Sequence, residues 1–127
     1  MNPVSFLAVG AGAALGAWLR WGLGLLLNPL LPALPLGTLA ANLTGAYLVG
    51  IAVTVFHLHL DLPPELKLFA ITGFLGGLTT FSTFSAEVVA LIQRADYLWA
   101  FGAATLHLGG SLLLTGLGIY TVLHFAM

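Results

Sequence analysis

The sequence predicts an all-α membrane protein of four transmembrane helices, the third of them broken, and three observations carry that reading. Of its 127 residues 60% are hydrophobic and only 6% charged. A soluble domain carries roughly a quarter charged residues, so most of this chain cannot face water. The apolar residues gather into four stretches of about 20 or more, the length that spans a bilayer's hydrocarbon core. The third stretch holds the run from Gly73 to Glu87, GFLGGLTTFSTFSAE, whose three glycines and many hydroxyl residues weaken helical propensity. At membrane depth irregular backbone is tolerated only where it is buried in protein or lines a wet cavity. The expected break is therefore a candidate ion site, its carbonyls open to a cation and its amides or hydroxyls to an anion.

The same composition excludes other classes. Without cysteine there is no disulfide framework, thiol chemistry or Cys-based metal site. A net charge of -1 gives no basic footprint for nucleic acid. The opening Met1-Asn2-Pro3-Val4-Ser5 lacks the cationic segment of a cleavable signal peptide. The expected spans are 3–27, 37–58, 66–92 and 98–125, one domain with short loops marked by Pro29, Pro32 and Pro35, by Asp61 to Glu65, and by Gln93 to Asp96. Each loop combines helix breakers or charges with a gap in the hydrophobic run.

In helix 1, Gly10, Gly12, Ala13, Gly16 and Ala17 offer a small-residue face on which a neighbouring backbone can approach closely. Arg20 lies inside the span, where a guanidinium snorkels, meets a wet cavity or finds a partner. It either simply reaches the interface or draws an anion into a vestibule. In helix 2, Thr38 and Asn42 share a face. A buried Asn42 amide either ties helices together or donates to an anion that has shed its water. His57, His59 and Asp61 end the span as solvated groups with spacing too loose for a convincing metal site. Glu65 and Lys67 are expected to pair at the membrane surface.

Helix 3 follows its break with Phe81 and Phe84 amid hydroxyls. Phenylalanines three apart are ordinary packing or lipid contacts. Interleaved with Ser and Thr, however, their positive ring edges could favour an anion in a narrow pore. Glu87 either pairs with Arg20, caps a polar track or is protonated. In helix 4, His107, Ser111 and Thr115 recur every four residues as a polar stripe, while Gly109, Gly110, Gly116 and Gly118 are expected to thin the helix for packing. Lys67 falls on the side of both termini and Arg94 on the other, with Arg20 near it, so the positive-inside rule has little to act on. Insertion in both orientations follows as an expectation, and with it an antiparallel dimer, because four short helices alone do not enclose a sheltered polar route.

Three stretches carry a resemblance: the run from Gly73 to Glu87, the helix 2 segment Gly37 to Gly45 (GTLAANLTG), and Gly16-Ala17-Trp18-Leu19-Arg20. Over essentially its whole length the chain resembles the small four-helix fluoride channels of the Fluc/CrcB family. The resemblance implies an antiparallel dual-topology homodimer with two pores, in the bacterial inner membrane, passively exporting fluoride; no enzymatic activity is implied. It makes Phe81 and Phe84 ring-edge ligands, Asn42 an amide donor, Arg20 a vestibule cation, and Ser82, Thr83 and Thr38 polar contacts. Gly76 and Thr79 fall where the family's backbone carbonyls hold a structural sodium ion. His107, Ser111 and Thr115 match a polar track in which some relatives have tyrosine at the position of His107, a departure that introduces a titratable group. A four-helix dual-topology multidrug transporter is the rival carrier, but it needs a membrane carboxylate, and only Glu87 is available. A non-transporting bundle is the rival without flux.

Overall fold

A single proline-started helix opens the structure, a computed structural model that describes residues 2–126. This helix, α1 (Pro3–Leu27), is capped by the Asn2 side chain, which accepts from the Ser5 amide at 2.7 Å, and proline at the first helical position costs no hydrogen bond. A 3-10 turn, Asn28–Leu30, leads to α2 (Leu36–Leu58). The third span, Pro64–Gln93, is composite. It runs as α3 (Pro64–Lys67), a π-helical stretch Leu68–Leu75, α4 (Gly76–Leu78) and, past a break, α5 (Phe81–Gln93). The last helix is α6 (Tyr97–Ala126). Among the described residues the regular structure is all helical, with four segments long and apolar enough to cross a membrane.

The third span is broken as expected, but not by its glycines. Gly73, Gly76 and Gly77 all lie in helical segments, and no described glycine has a positive φ. The chain is extended at Thr79 (φ -85°, ψ 155°) and Thr80 (φ -148°, ψ 111°), β-branched residues at home in that region. The glycines serve packing instead. A Cβ on Gly12 or Gly16 would strike the main chain at Phe69, Phe74 or Leu78, and one on Gly73 or Gly77 would strike that of Val9 or Ala13. Two glycine pairs four residues apart thus let α1 and the third span meet backbone to backbone. Gly50 on α2 and Gly118 on α6 do the same for the second helix pair. Among the described residues nothing meets a Cβ at Gly10, Gly109 or Gly116, so the close-packing role expected for those three is corrected.

Apolar packing brackets the break. Ala41, Leu75 and Leu78 form one buried cluster beside it, and Leu34, Leu91, Ala100 and Ala103 form another further along α5 and α6. The α5 helix ends in a Schellman motif, with Ala95 left-handed (φ 61°), the Ala95 amide on the Ile92 carbonyl and the Asp96 amide on that of Leu91, both at 2.9 Å. Arg94 and Asp96 make the only ion pair among the described residues, at 3.8 Å, so the pairing expected of Glu65 with Lys67 is not formed.

Candidate functional site

Breaking a helix strands backbone groups, and the site is the set of side chains that deal with them. Thr80 is the centre. Its amide donates to Asn42 Oδ1 at 2.7 Å, its carbonyl accepts from Asn42 Nδ2 at 3.1 Å, and its hydroxyl caps α5 by accepting from the Thr83 amide at 3.1 Å. Asn42 therefore splints the break from α2. The remaining Asn42 donor faces His107 Nδ1 at 3.0 Å, so the amide ties three elements together beside the break, with both of its protons engaged inside the protein.

Upstream, the Thr79 amide and hydroxyl both donate to the Leu75 carbonyl, at 3.0 and 2.9 Å. The Gly77 carbonyl accepts from Arg20 Nε at 3.0 Å. Half-buried Arg20 thus finds a partner inside the protein, and the rest of its guanidinium borders a cavity of about 270 Å³ that Thr38, Thr80 and Thr83 also line. Among the described residues no hydrogen bond reaches the carbonyls of Gly76 or Thr79, although the break frees both of them.

Downstream, Phe81 and Phe84 meet edge to face, ring centres 5.5 Å apart, and Phe84 lies against the His107 ring at 4.5 Å. With Asn42, Ser111 and Thr115 they line a second cavity of about 490 Å³. Phe81 is 77% exposed, and Ser82 and Gly76 also lie at the surface, while Thr80 and His107 beside them are buried. This wall is thus left open by the chain itself. Ser82 Oγ lies 3.3 Å from the Thr80 hydroxyl. Thr115 donates to the Ala46 carbonyl at 2.9 Å, so the third member of the α6 stripe also fastens α6 to α2.

Of the three readings of Glu87, the pair with Arg20 is not formed. Glu87 accepts from the Thr38 hydroxyl at 2.7 Å, while Arg20 is held by the Gly77 carbonyl. Two residues escaped the sequence reading. Asn28 Oδ1 accepts from the amides of Gly37 and Thr38 at 2.7 and 3.2 Å, capping α2 from the end of α1 and setting the residue that holds Glu87. The Asn-Pro pair at 28–29 is a turn signal that pointed to it. Thr80 itself was visible only as part of a motif. Tight hydroxyl, amide and ring-edge donors with little fixed charge suit a small anion better than a large or cationic solute.

Residues 7–119 match the family model described as CrcB-like protein, Camphor Resistance (CrcB). The chain is 65% identical over 122 residues to a protein of Nitrosospira multiformis named Fluoride-specific ion channel FluC, covering 96% of this chain and 95% of that one. It is 65% identical to the protein of that name from Cupriavidus necator, over 95% and 96% of the two chains. Against that of Ralstonia pickettii it is 62% identical over 99% and 100%.

Proposed function

The chain belongs to the CrcB-like family, and from that premise we propose that it is a fluoride-selective channel passing the ion passively out of the bacterial cytoplasm across the inner membrane. The observation that carries the reading is the break at Thr79–Thr80, flanked by Asn42, the Phe81–Phe84 edge-to-face pair and a cavity with a polar stripe on α6. Fluoride is small and strongly hydrated, so its path must replace water with donors and ring edges while remaining too narrow for chloride. Phe81 and Phe84 offer the edges, Ser82, Thr83 and Ser111 the hydroxyl donors and His107 an N–H donor. Asn42 and Thr115, whose protons are engaged with Thr80, His107 and Ala46, complete the polar lining. Arg20 and Thr38 border the vestibule, where the one free side of the guanidinium concentrates anions without trapping them.

The functional unit we propose is an antiparallel homodimer. The cavity wall containing Phe81 and Gly76 is exposed in one chain, as is the neighbouring Ser82, and the basic residues are too few and too balanced to impose one orientation. The unpartnered carbonyls of Gly76 and Thr79 fit a hard monovalent cation, because oxygen donors suit such ions. Two oxygens do not complete a shell, but two from each of two copies go far towards one. A sodium ion held there would be structural, joining the two copies through those carbonyls, and would take no part in moving fluoride. Proteoliposomes of the purified chain are expected to release fluoride and to retain chloride; equal release of both ions overturns the reading.

A further inference from the structure

Asn42 and His107 meet at 3.0 Å, and the other bonds of Asn42 decide which protons lie in that contact. The Asn42 amide grips one residue twice, accepting from the Thr80 amide and donating to the Thr80 carbonyl. A peptide group has no tautomers, so this double bond fixes which end of the Asn42 amide is oxygen. Turned over, it would set donor against donor and acceptor against acceptor. The second Nδ2 proton then points at His107 Nδ1, which must accept it. A neutral imidazole accepting at Nδ1 carries its proton on Nε2. That Nε2 is buried without a partner among the described residues, on a side chain 3% exposed.

Resting on the channel reading above, we propose that His107 is a positioning residue: its neutral Nε2–H form holds Asn42 on the broken backbone, and fluoride conduction requires the imidazole to stay unprotonated. A second proton places an N–H on Nδ1, opposite the Asn42 N–H. That clash is relieved when Asn42 turns over, which abandons both bonds to Thr80 and unpins the residue preceding Phe81, or when the ring swings away and leaves Asn42 unheld on that side. The surroundings supply no compensating charge. From α2 His107 faces Asn42, from the third span Phe84, and the cavity it lines contains no Asp, Glu, Lys or Arg. Glu87 and Arg20 are engaged with Thr38 and the Gly77 carbonyl.

Replacing His57, His59 and His124, all exposed, by Gln leaves His107 as the single histidine for ring-nitrogen NMR. Labelled protein in lipid bilayers is titrated from about pH 8 downward until the ring takes its second proton. Fluoride efflux is measured on the same proteoliposomes, with protein-free vesicles subtracting the leak of hydrogen fluoride. The expected ring is Nε2-protonated and bare at Nδ1 at the start, with efflux falling roughly tenfold as the doubly protonated ring appears. His107→Gln, which has no such proton to take, is expected to lose that step whatever its absolute rate. A neutral ring protonated at Nδ1, or efflux that holds or rises as the ring becomes doubly protonated, overturns the proposal. The expected tautomer in protein passing no fluoride at any pH supports the tautomer assignment and overturns the channel reading, so the two fail separately.

Discussion

Thr80 is 9% exposed and Asn42 serves its amide and carbonyl together. Asn42→Leu strands both groups at membrane depth, at a cost of about 1–3 kcal/mol each. The variant is expected to melt at lower temperature in detergent and to lose most of its fluoride efflux; an unchanged melting curve would show that water or a second copy serves those groups instead. Phe81 is the opposite case. It is 77% exposed, so Phe81→Ile is expected to change chain stability by no more than about 0.5 kcal/mol while abolishing efflux, because an aliphatic group has no positive edge. Wild-type efflux from Phe81→Ile would remove that ring from the path. The physical distinction is between a residue that holds the break and one whose exposed ring is proposed to face the ion.

Between elements, the decisive quantity is how near two backbones come. Gly16→Val places branched carbons on the main chain of Phe74 and Leu78 and is expected to cost about 1–3 kcal/mol or more, as overpacking does. Gly116→Ala, whose Cβ meets open space, is expected to be neutral or to gain up to about 1 kcal/mol from helical propensity. Parallel thermal melts of the two variants check the contrast. At the end of α5, Ala95 holds the left-handed position of the Schellman motif. Ala95→Gly is expected to raise stability by about 1 kcal/mol, since glycine meets no Cβ penalty there. The adjoining Arg94–Asp96 pair is half exposed and 3.8 Å apart, so its loss should be nearly silent.

For the whole molecule, the open wall around Phe81 and Gly76 and the near-balance of basic residues both argue for paired inverted copies. Leu60, in the loop between α2 and α3, is 86% exposed, and the chain has no native cysteine. Leu60→Cys in intact cells is expected to react with a membrane-impermeant maleimide in about half of the molecules, the other half reacting only after permeabilisation. Labelling from one side alone would exclude insertion in both orientations. The four helices, their loops and the existence of a break were legible in the chain, because hydropathy, proline and β-branched runs act over a few neighbouring residues. Polar partnerships were not legible. Asn42 meets Thr80 across 38 positions, Thr38 meets Glu87 across 49, and Asn42 meets His107 across 65. Composition and local pattern thus determined that this is a four-span membrane bundle with an interrupted third span. Only the tertiary packing decided that threonines open the span while glycines close it against α1, that Glu87 turns to Thr38 and not to Arg20, and which atom of His107 carries the proton, because each depends on side chains that share no stretch of sequence.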